Sequence, residues 1–104
     1  MLDIVEKLEQ RLLALDESLS DPSVVGDQKR FIALNRERRQ LADVLETGRR
    51  YRQICKTVEE AREMIGSADD PDMVAMAREE LEANEPLIEE AEKVFRLKLL
   101  PKDP

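Results

Sequence analysis

Six arginines, Arg36, Arg38, Arg39, Arg49, Arg50 and Arg52, fall within seventeen residues. A guanidinium presents a planar fork of donors that fits phosphate and carboxylate alike. Two uses suit such a cluster. The arginines can pair with acidic segments of the same chain, or they can face outward to an RNA or an acidic protein. Six exceed what a single helical seam needs for pairing, so both uses stay open.

Little else in the chain has the makings of chemistry. Histidine is absent, which removes the commonest general base and a frequent metal ligand. One cysteine, Cys55, can build neither a zinc site nor an intrachain disulfide. The three glycines stand alone, so no phosphate-cradling loop exists. Glu59-Glu60 and Glu89-Glu90 are adjacent in sequence, and on a helix each pair diverges instead of converging on a substrate. No catalytic residue, no metal and no cofactor is expected, nor a small-molecule substrate.

Those arginines need an element to hold them, and the stretch from Asp27 to Ile65 supplies it. It lacks proline, and its only glycine is Gly48. Leu41, Val44, Gly48, Tyr51, Cys55, Val58 and Ile65 follow heptad spacing, with Arg62 the one polar interruption. A 3-4 spacing holds side chains on one face of an α-helix. If continuous over about 27–65, this helix would run roughly 58 Å at 1.5 Å per residue. On its stripe Cys55 reads as a small buried hydrophobe. Tyr51 reads as a seam residue with its hydroxyl at the rim. Gly48 in mid-helix costs about 1 kcal/mol relative to alanine, and it would admit a bulky side chain from a partner helix.

The bulk composition agrees with long helices. The chain is 39% charged and 3% aromatic, without tryptophan. A core would form as a thin seam in one domain, residues 1–104. The net charge of −7 is uneven: residues 1–26 and 66–104 are acidic, and residues 27–65 are basic. A single cysteine fits a reduced, cytoplasmic setting. The amphipathic, acidic start resembles no secretory or transit signal, and no apolar run approaches the ~20 residues of a membrane span.

The first helix is expected from Asp3 to Leu19. Asp3 and Glu6 have capping-box spacing. Val5, Leu8, Leu12, Leu15 and Leu19 form the stripe, widened by Ile4 and Leu13. Asp21-Pro22 should start a short turn that tucks in Val24 and Val25, and Asp27 should cap the long helix. Gly66 suits the C′ position. Asp70-Pro71 should start a third helix reaching Leu100, with Met73, Ala77, Leu81, Ile88, Ala91 and Phe95 inward. Pro86 should kink it, with the helix resuming, or else break it. Short connections make successive helices antiparallel neighbours. The expected fold is all-α: an elongated antiparallel helical hairpin or three-helix bundle around a long central helix. The ends of the first and third helices would meet near Arg38 to Leu45. Pro101-Lys102-Asp103-Pro104 looks like an exit from the domain.

Three stretches carry a resemblance. LKLLPKDP (97–104), RFIALNRERRQLADV (30–44) and DDPDMVAMAREELEA (69–83) resemble, in order and spacing, segments of the first domain of the bacterial peptide chain release factor 1 family. The resemblance implies a parent protein that reads UAA and UAG and triggers peptidyl-tRNA hydrolysis on the ribosome. In the family those tasks belong to a Pro-x-Thr loop and a Gly-Gly-Gln loop, and neither occurs here. The chain therefore resembles an N-terminal domain that is not itself an enzyme. Its implied partners are the ribosome, at the stalk base near ribosomal protein L11, and release factor 3. The six arginines are the candidate contact residues. Pro86 departs from the family's uninterrupted third helix. Two other classes compete: a tRNA-binding antiparallel arm like that of seryl-tRNA synthetase, and a plain coiled-coil interaction module. The acidic outer helices and the LLPKDP ending do not suit the tRNA-binding arm.

Overall fold

Two Asp-Pro pairs punctuate the chain, and both work as caps. Asp21 accepts a hydrogen bond from the Ser23 amide at 2.9 Å and starts α2, Pro22–Val25. Asp70 accepts one from the Asp72 amide at 2.9 Å and starts the helix at Pro71. In each case proline occupies the first turn, where its missing N–H has no intrahelical partner to lose. The computed structural model describes residues 1–101. Lys102 to Pro104, which end the LKLLPKDP stretch and the expected exit segment, lie outside the described residues.

The fold is all-α. α1 is Leu2–Ser20, α2 is Pro22–Val25, α3 is Gln28–Ser67, α4 is Pro71–Asn84 and α5 is Ile88–Leu99. A 3-10 turn, Glu85–Leu87, joins the last two, and no strand occurs among the described residues. α3 is 40 residues long and is the expected central helix. Asp27 caps it, accepting from the Arg30 amide at 3.2 Å. Gly66 is not the C′ residue: no glycine has positive φ, and the helix runs through Gly66 to Ser67. There the Ser67 hydroxyl donates to the Glu63 carbonyl at 2.8 Å, and the Ala68 amide donates to the Met64 carbonyl at 2.9 Å. With its last carbonyls engaged this way, the helix needs no left-handed cap.

The chain divides into two compact units, Met1–Glu46 and the residues from Thr47 on. In the first, α1 and the beginning of α3 are linked by charge and apolar contact. Val5, Leu15, Val24 and Leu45 are fully buried, and Leu8, Leu12 and Leu19 are half-buried. Leu13, expected to widen the stripe, points to solvent at 60% exposure, and Val25 is likewise exposed. Asp3 is not a cap. α1 starts one residue earlier, with no side-chain bond at its N-cap, and Asp3 instead meets the Met1 ammonium at 3.1 Å.

In the second unit the later part of α3 runs antiparallel to α4 and α5. Phe95 packs on Gly48 and Tyr51 at one end, and Arg62 meets Glu85 at 3.5 Å towards the other. The buried residues are Tyr51, Ile54, Val58, Ala61, Ala77, Ala91 and Phe95. The inner face of α3 is therefore Gly48, Tyr51, Ile54, Val58, Ala61 and Ile65: Gly48, Tyr51, Val58 and Ile65 hold their expected places, and Ile54 and Ala61 replace Cys55 and Arg62. Cys55 is only half-buried, and Arg62, the apparent interruption, is exposed. Met73 also lies outside: Val74 turns inward in its place, beside Ala77, which is buried as expected.

Pro86 neither leaves the helix whole nor opens a loop. The backbone tightens into the 3-10 turn, and α5 resumes directly. A following proline disfavours helical geometry at the residue before it, yet Glu85 keeps φ −53 and ψ −44. A 3-10 turn uses i to i+3 bonds, so the chain passes the missing donor while staying right-handed. Asn84 helps by donating its side-chain amide to the Glu80 carbonyl at 2.9 Å.

Candidate functional site

Gly48 positions the second unit's most buried aromatic residue. A Cβ built on Gly48 would lie 2.8 Å from Phe95 Cε1 and 3.0 Å from Cζ, so only glycine leaves room for the ring. Phe95 is 0% exposed and stacks with Tyr51, ring centroids 6.4 Å apart at 25°. Burial, and then a hydrogen bond with Cys55, push the Tyr51 phenol up to about 12. These contacts pack α5 against α3 within the second unit. No group of three or more His, Cys, Asp or Glu side chains among the described residues could hold a metal ion.

The candidate arginines all lie on α3, and the structure sorts them. In the first unit, Arg38 is half-buried and its Nε donates to Asp16 Oδ1 of α1, with Nη2 3.5 Å from Oδ2. The hydrogen bond from Arg38 and the nearby Asp16 charge raise the guanidinium's already high pKa. Arg38 is thus a tie between helices. A second tie comes from a residue outside the cluster. Arg11 donates through Nε and Nη2 to the two oxygens of Glu37, both at 2.9 Å. This is the parallel two-bond geometry that favours arginine over lysine.

Arg36 and Arg39 differ from Arg38. They are three residues apart, so they share a face of α3, and both are exposed. Neither makes an ion pair among the described residues. Lys29, seven residues before Arg36, extends the same exposed face and also makes no ion pair. The six-arginine cluster did not include it, although its spacing from Arg36 was the available signal. The result is a row of three cations whose charges face solvent.

In the second unit, Arg49 is exposed and Arg52 half-buried, and each engages a neighbouring group. Arg50 is exposed and makes no ion pair among the described residues. The cluster is therefore two populations. Arg38, Arg49 and Arg52 serve contacts within the chain, and Arg36, Arg39 and Arg50 present free guanidinium groups. Exposed guanidinium groups on a regular helix can bind phosphate or carboxylate, and they offer no route to bond making or breaking.

No helix of the described residues is long and apolar enough to cross a membrane. The PCRF domain family matches residues 8–104. Peptide chain release factor 1 of Streptococcus pyogenes serotype M5 (strain Manfredo) is 42% identical to the chain over 103 residues. The same protein from serotype M49 (strain NZ131) and from serotype M3 (strain MGAS315) shows the same identity. Each alignment covers 98% of this chain and 29% of the relative, so the chain spans under a third of the length of the curated relatives it matches. No solved structure matches the chain. All-helical, built around α3 and matched over nearly all its length, the chain belongs to the PCRF domain family.

Proposed function

We propose that the parent protein terminates translation at UAA and UAG, and that residues 1–104 form its single N-terminal domain. The observation that carries this is the 42% identity across 98% of the chain to proteins named peptide chain release factor 1. On this reading the domain docks on the ribosome in the cytoplasm, at the stalk base near ribosomal protein L11 and beside release factor 3. It contributes binding and position, while codon reading and peptidyl-tRNA hydrolysis belong to Pro-x-Thr and Gly-Gly-Gln loops elsewhere in the parent.

The outward guanidinium groups of Arg36, Arg39 and Arg50 are the residues for that contact. Ribosomal RNA is a dense array of phosphates, and unpaired arginine forks bind it without first breaking an internal ion pair. Arg38 would have to give up Asp16 to do so, which makes it a poor docking residue.

Peptide release from purified termination complexes carrying UAA, UAG or UGA tests the proposal. The full-length protein should release peptide at UAA and UAG and be nearly inactive at UGA, and the 104-residue chain should release none. Equal release at UGA, or none at any codon, overturns the assignment. Release by the chain alone overturns the division of labour.

A further inference from the structure

Three of the chain's four methionines converge at one place on the second unit. Met64 of α3 faces Met73 and Met76 of α4 across a groove of about 650 Å³. Their exposures are 37%, 45% and 68%, large for apolar side chains with neighbours so near. The floor is Ala61 and Ala77, both buried and both small. Longer side chains there would fill the groove, and alanines leave it open.

The rim carries one sign of charge. Glu60, Glu79 and Glu80 line the groove, and no lysine or arginine does. Glu79 and Glu80 make no ion pair among the described residues, and Glu60 has only a loose contact with Lys56 at 3.9 Å. No polar or charged side chain is buried among the described residues, so nothing in the floor would orient a polar small molecule. Nucleic acid and anionic lipid are repelled by the rim.

We propose that this methionine-lined groove is the docking site for a basic amphipathic helix of a partner protein. The apolar floor would take side chains spaced i, i+3 or i+4, i+7, the pattern of helix-in-groove recognition. Methionine is unbranched and polarizable, and it adapts its shape to such an occupant. The acidic rim selects lysine and arginine flanking the apolar face and suppresses acidic competitors. The site is separate from the exposed arginines and does not depend on their role.

The four methionines make the test direct. The 104-residue chain, labelled with ¹³C at the methionine methyls, is titrated with a roughly 18-residue leucine–lysine peptide patterned as an amphipathic helix, long enough to be helical when bound. A scrambled peptide of the same composition and a leucine–glutamate peptide of the same pattern are the controls. The proposal predicts saturable shifts of Met64, Met73 and Met76 while Met1 stays fixed, with a Kd on the order of 10 µM and both controls about tenfold weaker. Met76→Lys, at an exposed position, and Glu79→Lys with Glu80→Lys should each weaken binding about tenfold with circular dichroism unchanged.

Equal binding of the scrambled peptide reduces the effect to general charge attraction and overturns the proposal. Binding without those methyl shifts overturns it too. So do methyl shifts that grow with protein concentration alone, because the occupant is then a second copy. Shifted methyls in the full-length protein that no longer respond to peptide point to the remainder of its own chain and have the same consequence.

Discussion

Replacing Gly48 by alanine sets two opposing effects against each other within one helix. Alanine is favoured over glycine in a helix interior by about 1 kcal/mol. At Gly48 the new methyl would stand 2.8 Å from Phe95 Cε1, 3.0 Å from Cζ and 3.2 Å from Cδ1. The far end of an exposed ring could swing away, but Phe95 is 0% exposed and lies against Tyr51. Overpacking of a filled site typically costs about 1–3 kcal/mol. The net expectation for Gly48→Ala is a loss of about 0–2 kcal/mol. Gly66 is the internal control, because it lies in the same helix and a Cβ there meets nothing within 4 Å. Gly66→Ala should therefore stabilise, by up to about 1 kcal/mol near the helix end. Urea unfolding followed at 222 nm gives both values. The sharper readout is the cycle with Phe95→Leu, which removes ring atoms where the new methyl would go. The double variant should be less destabilised than the sum of the singles by about 1 kcal/mol or more. A Gly48→Ala variant as stable as Gly66→Ala, or a cycle additive to within about 0.3 kcal/mol, would refute the packing argument.

Other outcomes follow from single contacts. Asp70→Ala removes the acceptor for the Asp72 amide and should cost about 1 kcal/mol in urea unfolding, with Asp70→Ser recovering most of it. Tyr51 is the chain's only tyrosine, so its absorbance at 295 nm reports one group. Its raised pKa means the unfolded chain ionises first, near 10.0, and the folded chain near 12. The stability from neutral Tyr51 is fully present below 10.0 and is lost as pH rises through about 12, and Tyr51→Phe should abolish that alkaline decline. A folded-state titration at the ordinary value would contradict the buried placement.

Local chemistry made two helix starts legible. Asp21-Pro22 and Asp70-Pro71 are self-contained signals, in which a carboxylate meets an amide two residues on and the proline gives up no donor. Gly48 was legible for a related reason: a glycine on a helix's inner stripe leaves a hole of definite size, and Phe95 fills it. Past Tyr51, heptad counting found Val58 and Ile65 but not the positions between them. From each of Tyr51 and Val58, positions i+3 and i+4 both lie on nearly the same helix face, so Ile54 competes with Cys55 and Ala61 with Arg62 for the inner place. Shifting to Ile54 and Ala61 removes Arg62 from the stripe, and that polar interruption was the clue. Pro86 was hard to place because its outcome depends on whether the backbone tightens, and side-chain types alone do not decide that. The division of the arginines depended on where Asp16 lay across the hairpin, which no spacing within α3 encodes.

The proposed ribosome contact runs through Arg36, Arg39 and Arg50 of α3. It is tested most directly by ribosome association of the full-length protein as a function of salt, with and without Arg36→Gln, Arg39→Gln and Arg50→Gln together. None of the three makes an ion pair among the described residues, so unfolding stability should change by no more than about 0.5 kcal/mol. Three lost phosphate contacts should lower the slope of log K against log salt by about 2, with weaker binding at every salt concentration. Unchanged affinity and slope in a variant that folds as well as the parent would contradict the account.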